Sequence, residues 1–524
     1  MKRRDFIKNA AALAALPGLG GILSAGNTDP RAWITALANA GETGRVLVLL
    51  QLKGGNDGLN TLIPLDQYAA YSNARKEVAI ARSAVLPLDG YANCGFHPAM
   101  KALQKRFNEG KVRIVQAVGY PSQNFSHFRS TDIWMSASDS TEVINTGWAG
   151  RYLDSQYPGF PEAYPNASMP DPLAIEVGSV LSLAFQGGEM NMSMSVTDPA
   201  NFYKLMNGIQ DPPPETPAGK ELAYIRTTSL QTNAYASVIM EAASTVAQQS
   251  SAYPAEGENA LADKLKIVAR LIAGGLKTKV YLVSLSGFDT HNDQVDETDS
   301  SQGLHASLLG KVSEAIDAFM TDLDFLNIAN RVVGMTFSEF GRRIIANKSF
   351  GTDHGAAAPL FLFGNRVVPG ILGENPTLPS VPVISSNIAM QYDFRAVYAT
   401  VLNQWFKIDK NLVDAVLLKS FTTLPLFRDD ETSVPELPAG ATGTFRVFPN
   451  PVHDEARLEF ESGAGTVLLE LYDAKGALLQ TLADREFEAG THSIRFQVAG
   501  FTAGIYYVRL YHAGNRQTIA VLKQ

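Results

Sequence analysis

The stretch that most constrains this chain runs from Arg331 to Gly355, RVVGMTFSEFGRRIIANKSFGTDHG. Its apolar run, Val332 to Phe337, is bounded by charge and glycine, the pattern of a strand buried on both faces of a parallel sheet. The run ends in Ser338-Glu339, and one loop later come Asp353, His354 and Gly355. A second segment has the same form: Lys279 to Ser286 reads as a strand, and Gly287-Phe-Asp-Thr-His291 follows it. In open α/β sheets, ligands sit beyond the carboxyl ends of the strands. Asp289, His291, Glu339, Asp353 and His354 therefore form a set of oxygen and imidazole donors where a site is expected, and such donors suit a divalent metal in a hydrolase.

Two further strand ends add candidates. Arg45 to Leu52 is a near-continuous apolar run, and Gly54-Gly-Asn-Asp-Gly58 then turns tightly and exposes Asp57. Asn-Asp-Gly is also an ordinary turn sequence, so it is the strand-end position that marks Asp57 as a candidate ligand. Val112 to Val118 is the next strand, and Gly119 to His127 leads into a helix through Trp134. Ser126 then stands at a helix N-terminus, where free N–H groups and the dipole favour an anion. An ordinary N-cap role for Ser126, Asn124 or Ser122 fits the same position equally well.

Composition narrows the chemistry. With 524 residues, 45% hydrophobic and 18% charged, the chain can bury a sizeable core and is too long for one ordinary domain. A net charge of -8 gives no basic patch for nucleic acid. The single cysteine, Cys94, excludes a disulfide framework and a cysteine-rich zinc site, so any metal must be held by Asp, Glu and His. Of the eight histidines, His453, His492 and His512 fall in a C-terminal module, which leaves His97, His127, His291, His305 and His354. His305 lies in the first turn of an amphipathic helix, Gly303 to Leu326, where packing or capping accounts for it as well as ligation does.

The organisation follows the pattern of elements. Residues 1–40 begin with a charged run, Met1 to Lys8, and a small apolar run, Ala10 to Leu23, which read as an export leader and not as a spanning helix. No transmembrane span is expected in the mature chain. Residues 41–428 alternate strand and helix, the signature of a doubly wound, mostly parallel α/β sheet, with Met169 to Pro217 read as an insertion near the site mouth. Residues 429–443, rich in Asp, Glu, Pro, Gly and Thr, read as a linker. Residues 444–524 carry short alternating strands and turn residues, the pattern of a small β-sandwich.

Three resemblances sit on these residues. Arg3-Arg4-Asp5-Phe6-Ile7-Lys8 resembles the twin-arginine pattern, which implies export of an already folded protein by that machinery; a general secretory signal with chance paired arginines is the other reading. Phe448-Pro-Asn-Pro451, Tyr472-Asp-Ala-Lys-Gly476 and Ala503 to Arg509 resemble the C-terminal sorting domain of type IX secretion cargo. That resemblance implies the type IX machinery and passage through the periplasm to the outer-membrane surface or beyond it; a carbohydrate-binding sandwich is the alternative.

The stretches Gln51 to Asn60, Ser126-His-Phe128, Gly147 to Leu153, Ser286 to His291, Thr336 to Arg343 and Gly351 to Gly355 together resemble the domain of unknown function numbered 1501. That family is similar to the alkaline phosphatase superfamily, whose members hold two metal ions beside a nucleophile. The resemblance implies Asp57 as the first-strand ligand and Ser126 as the nucleophile. It also implies Asp289 and His291 for one metal, Glu339 in place of the Asp of an Asp-His pair, and His354 as the distal histidine. Phe340 departs from the pattern, standing where the paired histidine is expected, unless Asp353 or His127 supplies the ligand. Zinc or manganese suits such carboxylate and imidazole donors better than calcium. Cys94-Gly-Phe-His-Pro98 does not match the setting a sulfatase needs for formylglycine. The expectation is a cell-surface hydrolase of phosphate or sulfate esters, with an ester or polymer substrate. The rival is a decayed surface protein that binds or scaffolds polysaccharide.

Overall fold

Val46–Lys53, VLVLLQLK, is buried at every position but the last, and β-branched and leucine side chains on both faces make it a central strand. It pairs in parallel with Val280–Ser286 on one side and with Val332–Phe337 on the other. The computed structural model describes residues 44–199, 216, 235–428, 445–473, 478–502, 504–512 and 515–523. The expected leader and the 429–443 linker lie outside these residues. Residues 235–245 are helical.

Across the main sheet the order is Gly370–Leu372, Val112–Gly119, Ala358–Phe363, Val332–Phe337, Val46–Lys53, Val280–Ser286, Ala174–Val177 and Ser193–Val196, with Tyr392–Asp393 also paired to Val112–Gly119. All neighbours are parallel except Ala358–Phe363, which runs antiparallel to both of its partners. The central strand shows why helices must cover both faces. Val46, Val48 and Leu50 enter one core with Leu265 of the helix Ala260–Ala273 and Phe319 of the helix Leu304–Phe325. Leu47 and Leu49 enter a second core with Trp134, Trp148 and Tyr398 from helices on the opposite face. The doubly wound, mostly parallel α/β class is therefore observed.

One expectation is corrected here. The stretch from Met169 to Pro217 was expected as an insertion, yet Ala174–Val177 and Ser193–Val196 extend the main sheet at its edge. Strands of four residues carry too little pattern to show their partner, which distant packing decides.

The chain divides into two compact units, Met1–Arg428 and Asp429–Gln524. In the second unit, a three-stranded sheet of Phe445–Phe448, Glu455–Ser462 and Gly490–Gln497 and a four-stranded sheet of Gly465–Tyr472, Leu478–Phe487, Gly504–His512 and Asn515–Lys523 are antiparallel throughout. Leu458 and Phe460 from one sheet and Leu469, Leu471 and Val508 from the other share its core, which makes it a β-sandwich. Among the described residues, no helix is long and apolar enough to cross a membrane.

Candidate metal centre

Three strands of the main sheet deliver the site at their carboxyl ends. Val46–Lys53 runs into Gly54-Gly55, Val280–Ser286 into the loop of Asp289 and His291, and Val332–Phe337 into Ser338-Glu339-Phe340. A hairpin of Gly341–Ala346 and Thr352–Gly355 follows, in which Arg342 is paired with His354. The loops lie so close that a side chain on Gly54, held at φ +127°, would meet the amide of Asp289 at 2.2 Å. Only glycine fits there.

Arg342 fastens these loops together. Its guanidinium is fully buried and donates to the carbonyls of Gly55 (2.7 Å), Thr352 (2.7 Å) and Phe288 (2.9 Å), to the carbonyl of Gly54, and to Asp289 Oδ1 (2.8 Å). Arg343 is also engaged, donating to the carbonyls of His354 (3.1 Å) and Ile384 (2.7 Å). Neither is the free surface charge that an Arg-Arg pair past a strand suggests.

Around Asp289 the donors converge. Its Oδ1 lies 3.2 Å from His291 Nε2 and 3.2 Å from His354 Nε2, and those two nitrogens lie 2.9 Å apart. Its Oδ2 lies 3.3 Å from His127 Nε2. His127, Asp289 and His354 each offer a ligand atom within 4.8 Å of the others. Each imidazole is held from behind on Nδ1: His354 by the Phe125 carbonyl at 2.8 Å, His291 by Asp353 Oδ1 at 3.2 Å, and His127 by Glu339 Oε1 at 2.8 Å. Carbonyl and carboxylate oxygens only accept, so each Nδ1 directs an N–H outward and each Nε2 faces Asp289.

Lone pairs facing one another at such distances repel unless a cation lies among them. An outer acceptor on the far nitrogen is the arrangement by which proteins orient metal-ligating histidines. A tetrahedral metal bound at about 2.0–2.1 Å separates its ligand atoms by roughly 3.3 Å, close to the 2.9–3.3 Å found here. The residues present thus fit one divalent cation held by His127, Asp289 and His354, with His291 beside Asp289 and His354.

The electrostatics favour an ionised Asp289 and a neutral His354. Partial burial pushes the Asp289 carboxyl up, but the hydrogen bond and charge of Arg342 help bring it down to about 2. Burial disfavours the imidazolium of His354 and lowers its pKa, although the Phe125 carbonyl and Asp289 oppose this. Burial likewise raises Asp353, and hydrogen bonds from Asn347 and His291 outweigh it.

The structure sorts the other candidates into distinct places. Asp353 and Glu339, expected among the ligands, stand behind His291 and His127 as their acceptors. Asp57 is not among the three residues whose ligand atoms converge. It is 1% exposed, and its Oδ2 accepts from Arg75 Nη1 at 2.9 Å and Gln294 Nε2 at 2.6 Å. A carboxylate in the interior must be paired, and Arg75, also fully buried, takes this one. His305 is buried with Nε2 at 3.0 Å from Asn56 Oδ1, a packing position. Cys94 is buried on the strand Tyr91–Phe96, and burial pushes its thiol up to about 12, so it is no nucleophile.

Ser126 caps the helix His127–Ser136 by position, yet its hydroxyl makes no capping bond. Its amide donates to Asn124 Oδ1 at 2.8 Å, and the residue is exposed. It stands between Phe125, whose carbonyl holds His354, and His127, whose ring faces Asp289. Phe340 is 2% exposed and packs its ring against both imidazoles, with centroids 4.9 Å from His127 and 4.4 Å from His354.

An α/β domain with a histidine and aspartate cluster at its strand ends, joined in sequence to a separate β-sandwich, defines the class of this protein. The profile of the family described as protein of unknown function (DUF1501) matches residues 45–417, and the chain belongs to that family. Residues 446–524 match the secretion system C-terminal sorting domain, which places the chain among proteins exported to the cell surface or beyond it.

No match was found among curated proteins. The chain is similar to the solved PsFucS1 sulfatase from Pseudoalteromonas sp., with 9% identity, coverage of 92% of this chain and 88% of that one, and a TM-score of 0.33. It is similar to a protein in the alkaline phosphatase superfamily from Vibrio parahaemolyticus, with 10% identity, coverage of 87% and 91%, and a TM-score of 0.31. A structure from work on glycosaminoglycan metabolism by Bacteroides thetaiotaomicron is similar at 11% identity, with coverage of 85% and 90% and a TM-score of 0.33.

Proposed function

We propose that this chain is a metal-dependent hydrolase of phosphate or sulfate esters that works at the cell surface, with Ser126 as its nucleophile. The observation that carries the reading is the convergence of His127, His354 and Asp289, each imidazole fixed from behind, with His291 alongside. Zinc or manganese fits these donors, and when bound it would polarise an ester oxygen and favour the serine alkoxide.

The chain's own groups supply the rest. Ser126 has a hydroxyl that is not spent on capping, at the start of the ten-residue helix His127–Ser136. Such a terminus lowers the cost of negative charge on the attacking oxygen and on a bound anion. Asp289, held ionised beside Arg342, anchors the cluster without shedding or gaining a proton near neutral pH. The test is turnover of phosphate and sulfate esters by the Ser126→Ala variant. The reading expects activity to vanish while bound metal stays, and full activity in the variant would remove Ser126 from the nucleophile role.

A second reading is favoured by Phe340 and by the burial of Asp57 against Arg75. Under it the site is a decayed one, and the exported chain binds or scaffolds polysaccharide. It expects glycan binding without ester turnover under any metal.

A further inference from the structure

Glu339 is a carboxylate with only 4% of its side chain exposed, at the end of a central strand, and it touches more than one part of the site. Its Oε1 accepts from His127 Nδ1 at 2.8 Å and from the Gly54 amide at 2.9 Å. Its carbonyl accepts from the hydroxyl of Ser130, one turn along the helix that His127 begins. One residue thus ties the first turn of that helix twice, by side chain and by main chain. Phe340, next in sequence, closes the space beside the His127 ring.

We propose that Glu339 is the positioning residue of the site: it fixes the His127 tautomer with the proton on Nδ1, so that Nε2 is the free donor facing Asp289. This rests on the metal reading above and deepens it. A neutral imidazole with no acceptor behind it divides its proton between two nitrogens, and half its orientations then present an N–H to a cation. A carboxylate behind it removes that loss and makes the ring a stronger donor, and the removal of such outer partners typically costs 10–100-fold in metal affinity. Because Glu339 acts through His127, its effect must vanish when His127 is absent.

The experiment is a double-mutant cycle on zinc affinity in the full chain, with Glu339→Ala, His127→Ala and both together, and Glu339→Gln as the conservative variant. Ala removes the acceptor behind His127, whereas Gln keeps an oxygen for both the Gly54 amide and His127, and thermal unfolding of each variant checks that the fold is retained. The proposal expects a 10–100-fold loss for Glu339→Ala alone, a smaller loss for Glu339→Gln, and no further loss when Glu339→Ala is added to His127→Ala. Independent losses that multiply would overturn it. A readout without metal completes the test: ring nitrogen shifts of His127 in the metal-free protein should report the Nδ1–H tautomer in the wild type and in Glu339→Gln, and a mixture in Glu339→Ala. The same tautomer in wild type and Glu339→Ala would overturn the proposal. If the wild-type chain shows the expected shifts yet binds no zinc, the metal reading fails and the pairing of Glu339 with His127 stands.

Discussion

Arg342 Nη2 lies 2.8 Å from Asp289 Oδ1, and the rest of that guanidinium is spent on four backbone carbonyls. One buried cation therefore sets both the ionisation of the central carboxylate and the meeting of the strand-end loops. Lysine can reproduce the charge but not the fork of donors. Arg342→Lys is expected to leave several buried carbonyls without a donor, at about 1–3 kcal/mol each, and so to lower stability by about 3 kcal/mol or more. Urea unfolding of the two proteins measures this, and a loss below about 1 kcal/mol would mean that the loops hold without the fork.

The buried pair of Asp57 and Arg75 predicts an acid limb. Burial raises the Asp57 carboxyl, but the charge of Arg75 and hydrogen bonds from Arg75 and Gln294 overcome it, so the folded pKa lies below its ordinary value. The unfolded chain then binds the proton first. The stability is present above an unfolded pKa of about 4 and is lost as pH falls through the folded value. Melting temperature measured from pH 7 down to pH 3 should fall less steeply in Asp57→Asn. That variant leaves Arg75 buried without its charge and should be about 3–5 kcal/mol less stable at pH 7.

Glu176 predicts the opposite slope. Burial pushes its carboxyl up to about 7, against the Ser182 amide and the charges of Lys53 and Lys264. The folded chain therefore keeps a proton that the unfolded chain releases at about 4.5. Stability contributed here is full below that value, declines as pH rises toward 7, and is flat beyond it. Glu176→Gln should remove this decline, read as a rise in melting temperature at pH 8 relative to wild type. An equal or lower melting temperature at pH 8 would contradict the shift.

Gly54 predicts a coupling between backbone and site. An alanine there is strained at φ +127° and drives its methyl into the Asp289 amide at 2.2 Å. Gly54→Ala is expected to weaken metal binding together with stability, because the loop that carries Asp289 must shift. Calorimetric titration with zinc, run beside thermal unfolding, checks both, and unchanged affinity would show that the two loops are independent.

The sheet was legible because its central strands are near-continuous apolar runs, and Val46–Lys53 and Val332–Phe337 need no partner to be recognised. The donors after them were legible for the same reason: Asp289 and His291 follow one strand end directly, and His354 lies on the hairpin that follows another. His127 was harder. Its only signal was a lone histidine beside Ser126 together with the missing histidine at Phe340, and the link between them is the Glu339 side chain 212 residues away. Asp57 sat at the expected strand end, but its partner Arg75 closes a helix end 18 residues later, and no local pattern shows that the two side chains meet. The role of Arg342 was not legible, because its acceptors are carbonyls from separate stretches of the chain, which composition and periodicity do not reveal.

The most direct measurement is the metal content of the purified full chain beside its Asp289→Ala, His354→Ala and Asp57→Asn variants. The account predicts about one equivalent of zinc or manganese per chain, lost in Asp289→Ala and His354→Ala and kept in Asp57→Asn, since only the first two residues face the common point. A metal-free wild-type chain, or metal that survives His354→Ala and disappears with Asp57→Asn, would contradict it.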